Sequence, residues 1–203
     1  MRQQLLTMLQ LQDGMNSKVN SDWKSRNHEW YRAIWVECGE LMDHYGWKWW
    51  KHQAPDVDQV KLELVDIWHF GLSTLLQHDQ SKEQMAQQLE QGLLESVQVG
   101  EFREDLEAFT LCTLETKAFD ITGFTRLMAG VEMDFEELYV RYVGKNVLNF
   151  FRQDHGYKDG TYIKIWHGKE DNEHLVEVVA ELDHSSKSFS DDLYDALKER
   201  YPV

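Results

Sequence analysis

Three features of the sequence predict an all-α fold. Only two prolines, Pro55 and Pro202, occur in 203 residues, so nearly all of the chain is open to helix. Apolar residues recur at helical spacing through most of its length. Alternation of the kind that makes half-buried strands is scarce. The expected architecture is a multi-helix bundle with a basic, glycine-containing loop in the C-terminal third. The chain reads as a single domain over 1–203, with 80–130 as a candidate mobile lobe.

Each element follows from its pattern. Residues 3–15 carry Leu5, Leu6, Leu9 and Met15, a short amphipathic helix. Residues 17–28 are polar and read as a loop. Residues 29–44 carry Trp30, Ala33, Ile34, Val36, Leu41 and Met42, a second helix that Gly46 ends. An aromatic and basic segment runs to Pro55. Asp56 and Gln59 then mark the start of a long helix through about Gln77, and Ser81 with Gln84 starts another to about Gly100. Helices are expected over 101–119 and 124–131, and from Asp134, with Glu137 three residues on, to about Phe151. Residues 152–170 carry Gly156, Gly160 and Gly168 and read as irregular. Helices over 171–182 and 190–201 follow, the latter capped by Ser190.

Composition narrows the function. Hydrophobic residues make up 42% and charged residues 28%, which argues against wholesale disorder. A net charge of -15 excludes binding to nucleic acid through a broad basic face. Cys38 and Cys112 are too few for a disulfide framework and fit a reducing cytoplasm. The N-terminus has neither the apolar core nor the cleavage-like end of a signal peptide, and no stretch approaches 18 apolar residues, so no membrane span is expected.

Two acidic pairs stand out. Glu37 and Glu40 lie i, i+3 on the second helix, and Glu63 and Asp66 do so on the long one. Each pair therefore shares a helix face. Apolar neighbours such as Ile34, Leu64 and Ile67 set these carboxylates into core-forming helices, where an unpaired carboxylate is costly. If the helices pack antiparallel, four carboxylates converge, and hard oxygen ligands suit Mg²⁺ or Mn²⁺. The alternative is two solvated pairs on separate faces.

Residues 141–170 hold six Lys and Arg against three acids, a basic island in an acidic chain. Such a loop suits a polyphosphate, or it balances the acidic body. Trp47, Trp49 and Trp50 lie between the carboxylate helices and suit base stacking, core or a dimer interface. Gln12 and Asn16, at i and i+4, can read a base edge or are simply polar positions on an amphipathic helix. His44 and His69 receive no role.

The blocks ECGELMDHYGWKWWK, KLELVDIWHF and GKNVLNFFRQDHGYKDGTYIKIWHGKEDNEHL resemble the dimeric, all-α dUTPase family of the all-α NTP pyrophosphatase superfamily. The paired acidic motifs belong to the whole superfamily; the long third block is more specific to the dUTPase branch. The resemblance implies Mg²⁺-dependent hydrolysis of dUTP, and of dUDP, to dUMP, with water attacking a phosphorus, by expectation the β. It implies Glu37, Glu40, Glu63 and Asp66 as metal ligands, with Glu37 orienting or deprotonating the water. Gln12 and Asn16 match the amide pair that faces uracil, and Trp49 or Trp50 would wall that pocket. Lys145, Asn149, Arg152, Tyr157, Lys158 and Lys164 match the nucleotide and phosphate side. A homodimer is implied as well. A related pyrophosphatase acting on dCTP or a non-standard NTP, and a non-enzymatic binding module, are the other readings.

Overall fold

Side-chain caps set several of the helix starts in the computed structural model, which describes residues 1–202. Asp56 accepts from Gln59 N at 3.3 Å, Asp120 from Gly123 N at 3.0 Å and Asp134 from Glu137 N at 2.8 Å. Ser81 and Gln84 close a full capping box. The described residues carry nine α-helices and one two-stranded hairpin, so the fold is all-α. The sequence reading treats the chain as one domain. Its packing groups it into two compact units, from 1 to 139 and from 140 onward, described here one at a time.

The first unit contains α1 (Arg2–Val19), a 3₁₀ turn (Trp23–Arg26), α2 (Trp30–Tyr45), α3 (Val57–Leu76), α4 (Lys82–Leu93), α5 (Phe102–Thr116) and α6 (Ile121–Gly130). Helix α3 is the hub. It packs on α1, α2, α4 and α6, and its most extensive partner is α2. Trp30 stacks on Phe70 at 6.1 Å, and Asp56 N donates to His44 O at 3.0 Å. The start of α2 thus meets the end of α3, and its end meets the start, so the pair is antiparallel. Trp68 lies fully buried at the centre, stacked on Phe124 at 5.2 Å and edge-on to Phe119. Leu5, Met8, Ile34, Leu64, Leu89 and Phe109 complete this core. Burying each such side chain contributes about 1.5–3 kcal/mol.

Helix α7 (Phe135–Asp154) begins in the first unit and continues into the second. The second unit adds the hairpin of β1 (Ile165–Trp166) and β2 (Lys169–Glu170), then α8 (Asp171–Glu181) and α9 (Phe189–Arg200). Phe151 and Trp166, both fully buried, pack against Tyr201.

Several boundaries differ from the sequence reading. Helix α1 runs on to Val19, and the segment read as a loop also holds the 3₁₀ turn. Helix α4 stops at Leu93 rather than Gly100. Helix α6 starts three residues early, because Asp120 caps it. Helix α9 starts from Ser188, which leaves Ser190 inside the helix rather than capping it. Gly46 ends α2 as expected, at φ +94, a backbone that side chains rarely adopt.

Candidate active site

The seam between α2 and α3 brings three carboxylates together. Glu37, Glu63 and Asp66 each offer an oxygen, and these lie within 4.8 Å of one another. Antiparallel packing is the cause: it sets the middle of α2 against the first half of α3. Glu63 is buried; Glu37 and Asp66 are half-buried. Glu40 sits one turn along α2 from Glu37, is exposed and is not part of the close trio. Its charge still reaches Glu37. Burial first, then Asp66, a hydrogen bond with Glu63, and the charges of Glu63 and Glu40 push the Glu37 carboxyl up to about 8. Crowded carboxylates of this kind hold a proton or a cation. An all-oxygen, partly buried donor set fits a hard divalent ion such as Mg²⁺. His44 Nε2 lies 3.6 Å from Glu63 Oε1, a neighbour the sequence reading left without a role.

Further along α3 lies a second polar cluster. Gln12 and Asn16, both buried on α1, point to Ser73. Gln12 Nε2 donates to Asn16 Oδ1 and to Ser73 Oγ, both at 3.1 Å. Asn16 Nδ2 donates to Ser73 Oγ at 3.0 Å. Ser73 Oγ donates to His69 O at 2.9 Å, and His69 Nδ1 contacts Val65 O at 2.7 Å. The amide pair is therefore a joint feature, not two separate positions on an amphipathic helix. Ser73 is the residue sequence reasoning missed. It lies on the same side of α3 as Glu63, Asp66 and His69, and only the packing of α1 against that side singles it out. Ser73 lies two turns from Asp66, about 10 Å along the helix axis.

The aromatic segment is open. Trp49 is 90% exposed and meets Trp50 edge-on at 5.4 Å, and Trp47 does the same at 5.3 Å.

The remaining expected residues lie in the second unit. Lys145 and Asn149 are half-buried on α7, one turn apart. Arg152 is committed to Asp171, which it grips with Nε at 2.8 Å and Nη2 at 2.9 Å. Tyr162 donates to the same carboxylate at 2.8 Å. Asp171 is fully buried; burial would raise its pKa, but the bonds from Arg152 and Tyr162 outweigh it and hold the carboxyl low. Tyr157, Lys158 and Lys164 are exposed, and Lys164 pairs with Glu170 at 3.2 Å. Gly156, at φ +88, lets this loop turn; a Cβ there would lie 1.9 Å from Thr161 Oγ1.

An antiparallel helix pair with converging carboxylates, on an all-α scaffold, defines a helical protein with an acidic centre suited to divalent cations. The family model described as dUTPase matches residues 4–157, and the chain belongs to that family, in its all-α branch. It is a dUTP diphosphatase. The match covers the carboxylates, the amide pair and the chain through Tyr157; Lys158 and Lys164 lie beyond it. No curated protein matches the chain. No helix among the described residues is long and apolar enough to cross a membrane.

Proposed function

We propose that the chain hydrolyses dUTP, and dUDP, to dUMP in a Mg²⁺-dependent reaction, with water attacking the β-phosphorus. The observation that carries this reading is the convergence of Glu37, Glu63 and Asp66 within 4.8 Å. These three would hold the ion, with Glu40 joining from the rim. When bound, Mg²⁺, or Mn²⁺ in its place, neutralises charge on phosphate oxygens and acidifies bound water. Glu37 orients or deprotonates the attacking water, its carboxylate standing beside Glu63 and Asp66 in the trio that would hold the ion.

Gln12 and Asn16 read the uracil edge, and Trp49 or Trp50 walls the base. Lys145, Asn149, Tyr157, Lys158 and Lys164 serve the sugar and phosphates. Arg152 ties α7 to the start of α8 through Asp171 while adding positive charge there. With β-attack, dUMP leaves with its bridging oxygen, and dUDP, which has the same reacting phosphorus, is also a substrate. Exclusion of the thymine methyl by shape is worth about 1–3 kcal/mol. Discrimination against dCTP is larger, since a wrong base leaves buried amides unpaired.

The test is a panel of dUTP, dUDP, dCTP, dTTP and UTP, each with and without Mg²⁺. Preference for dUTP and dUDP, in Mg²⁺ only, is expected; comparable kcat/KM for dCTP would move the protein to a different pyrophosphatase specificity.

The working unit in this reading is a homodimer. Trp35 and Val36 on α2, and Trp47, Trp49 and Trp50 just beyond its end, are exposed apolar residues. Light scattering should give twice the chain mass at micromolar concentration, and a monomer throughout that range would refute it.

A further inference from the structure

We infer that Ser73 is a base-specificity residue, acting as a lock on the orientation of the Gln12 and Asn16 amides. This rests on the reading that these amides face the base.

A serine hydroxyl has one proton and two lone pairs. In Ser73 the proton goes to His69 O at 2.9 Å, and the lone pairs accept from Gln12 Nε2 and Asn16 Nδ2 at 3.1 and 3.0 Å. The hydroxyl is fully buried, so no water competes for it. Its capacity is used up, and toward the amides it is an acceptor only.

That polarity fixes both amides. Turning Gln12 over would set Oε1 against Ser73 Oγ and against Asn16 Oδ1, oxygen facing oxygen. Turning Asn16 over would set its carbonyl against Ser73 Oγ and its NH₂ against the NH₂ of Gln12. Either flip replaces buried hydrogen bonds with repulsive contacts.

The consequence is chemical selectivity. An amide presents an acceptor or a donor to a ligand by a half-turn of its terminal bond. Uracil offers an N–H flanked by carbonyl oxygens; cytosine offers a bare ring nitrogen beside an amine. The two edges have reversed polarity at N3 and at C4. A pair of amides able to turn could meet either. A pair held by Ser73 keeps one polarity, and the cytosine edge then meets like against like. Because Ser73 lies on the same helix as Glu63 and Asp66, the lock is also tied to the acidic centre.

The experiment compares kcat/KM for dUTP and dCTP in the wild type, Ser73→Ala and Ser73→Cys, with the dissociation constants of dUMP and dCMP measured alongside. Alanine removes the acceptor, and cysteine keeps the shape but accepts weakly. The dUTP-to-dCTP ratio is expected to fall at least tenfold in both variants, with dCMP binding tighter relative to dUMP. Thermal melts identify which variant is folded, and the ratio is read in that one. A ratio within twofold of the wild type, with both substrates slowed equally, overturns the inference while leaving the dUTPase reading intact. A wild type that does not prefer dUTP to dCTP overturns both.

Discussion

Replacing Glu37 with glutamine should make the metal-stripped protein more stable at high pH while removing activity. The Glu37 carboxyl is raised from 4.5 to about 8 by burial and by Asp66, Glu63 and Glu40. A carboxyl raised in the folded state binds its proton more tightly there than in the unfolded chain. The stability this gives is complete below about 4.5 and is lost as pH rises through about 8. At 1.36 kcal/mol for each unit of pH the displacement corresponds to at most about 5 kcal/mol. Glu37 is only half-buried, and solvent screening reduces this to about 1–2 kcal/mol. In a chain of this length that is about 2–8 °C in Tm. In EDTA, the wild-type Tm should fall between pH 5 and 9 more steeply than that of Glu37→Gln, and at pH 9 the variant should melt higher by that amount. Saturating Mg²⁺ should close the gap at pH 9, because the cation takes the place of the proton. Differential scanning calorimetry across the range measures this. Parallel curves for the two proteins would refute the clustering argument, since they would mean that Glu37 ionises as it does in water.

Other substitutions separate chemistry from folding. Asp66→Asn should lower kcat at least a hundredfold with Tm in EDTA unchanged or raised, because it too removes a like charge; a Tm loss beyond 5 °C would contradict this. Arg152→Ala should lower activity and also stability, by about 3 kcal/mol, since it leaves buried Asp171 without its cationic partner, whereas Lys158→Ala should lower kcat more than it raises KM and leave Tm alone. Hydrolysis in ¹⁸O-water followed by mass spectrometry should place the label in pyrophosphate; label in dUMP would show attack at the α-phosphorus.

Much of this fold is written in local signals. Asp56, Ser81 and Asp134 announce helix starts because a short acceptor side chain beside exposed N–H groups acts within four residues. The ends are less legible. Helix α4 stops seven residues before Gly100, just after Gly92, and α6 starts at the Asp120 cap, three residues before the pattern of apolar residues suggests. At the site, i, i+3 spacing is enough to pair Glu37 with Glu40 and Glu63 with Asp66 on their own helices. Which of the four meet depends on the register of α2 against α3, a tertiary property. That register brings Glu37 inward and leaves Glu40 at the rim. Ser73 was illegible for a related reason: a serine in an apolar helix acquires meaning only when α1 lays Gln12 and Asn16 against it. Arg152 reads as one more cation in a basic loop until Asp171, nineteen positions on, is seen to hold it.

In the proposed reaction, dUTP hydrolysis needs a divalent cation that Glu37, Glu63 and Asp66 would hold. This requirement is tested most directly by stripping the protein with EDTA and following dUMP release from dUTP as Mg²⁺ is titrated back, for the wild type and for Glu63→Gln. The account predicts no turnover without metal, a saturable rise in the wild type, partial replacement by Mn²⁺, and little recovery in the variant at the Mg²⁺ concentration that saturates the wild type. Full wild-type turnover in excess EDTA, or a Glu63→Gln titration that overlays the wild type, would contradict it.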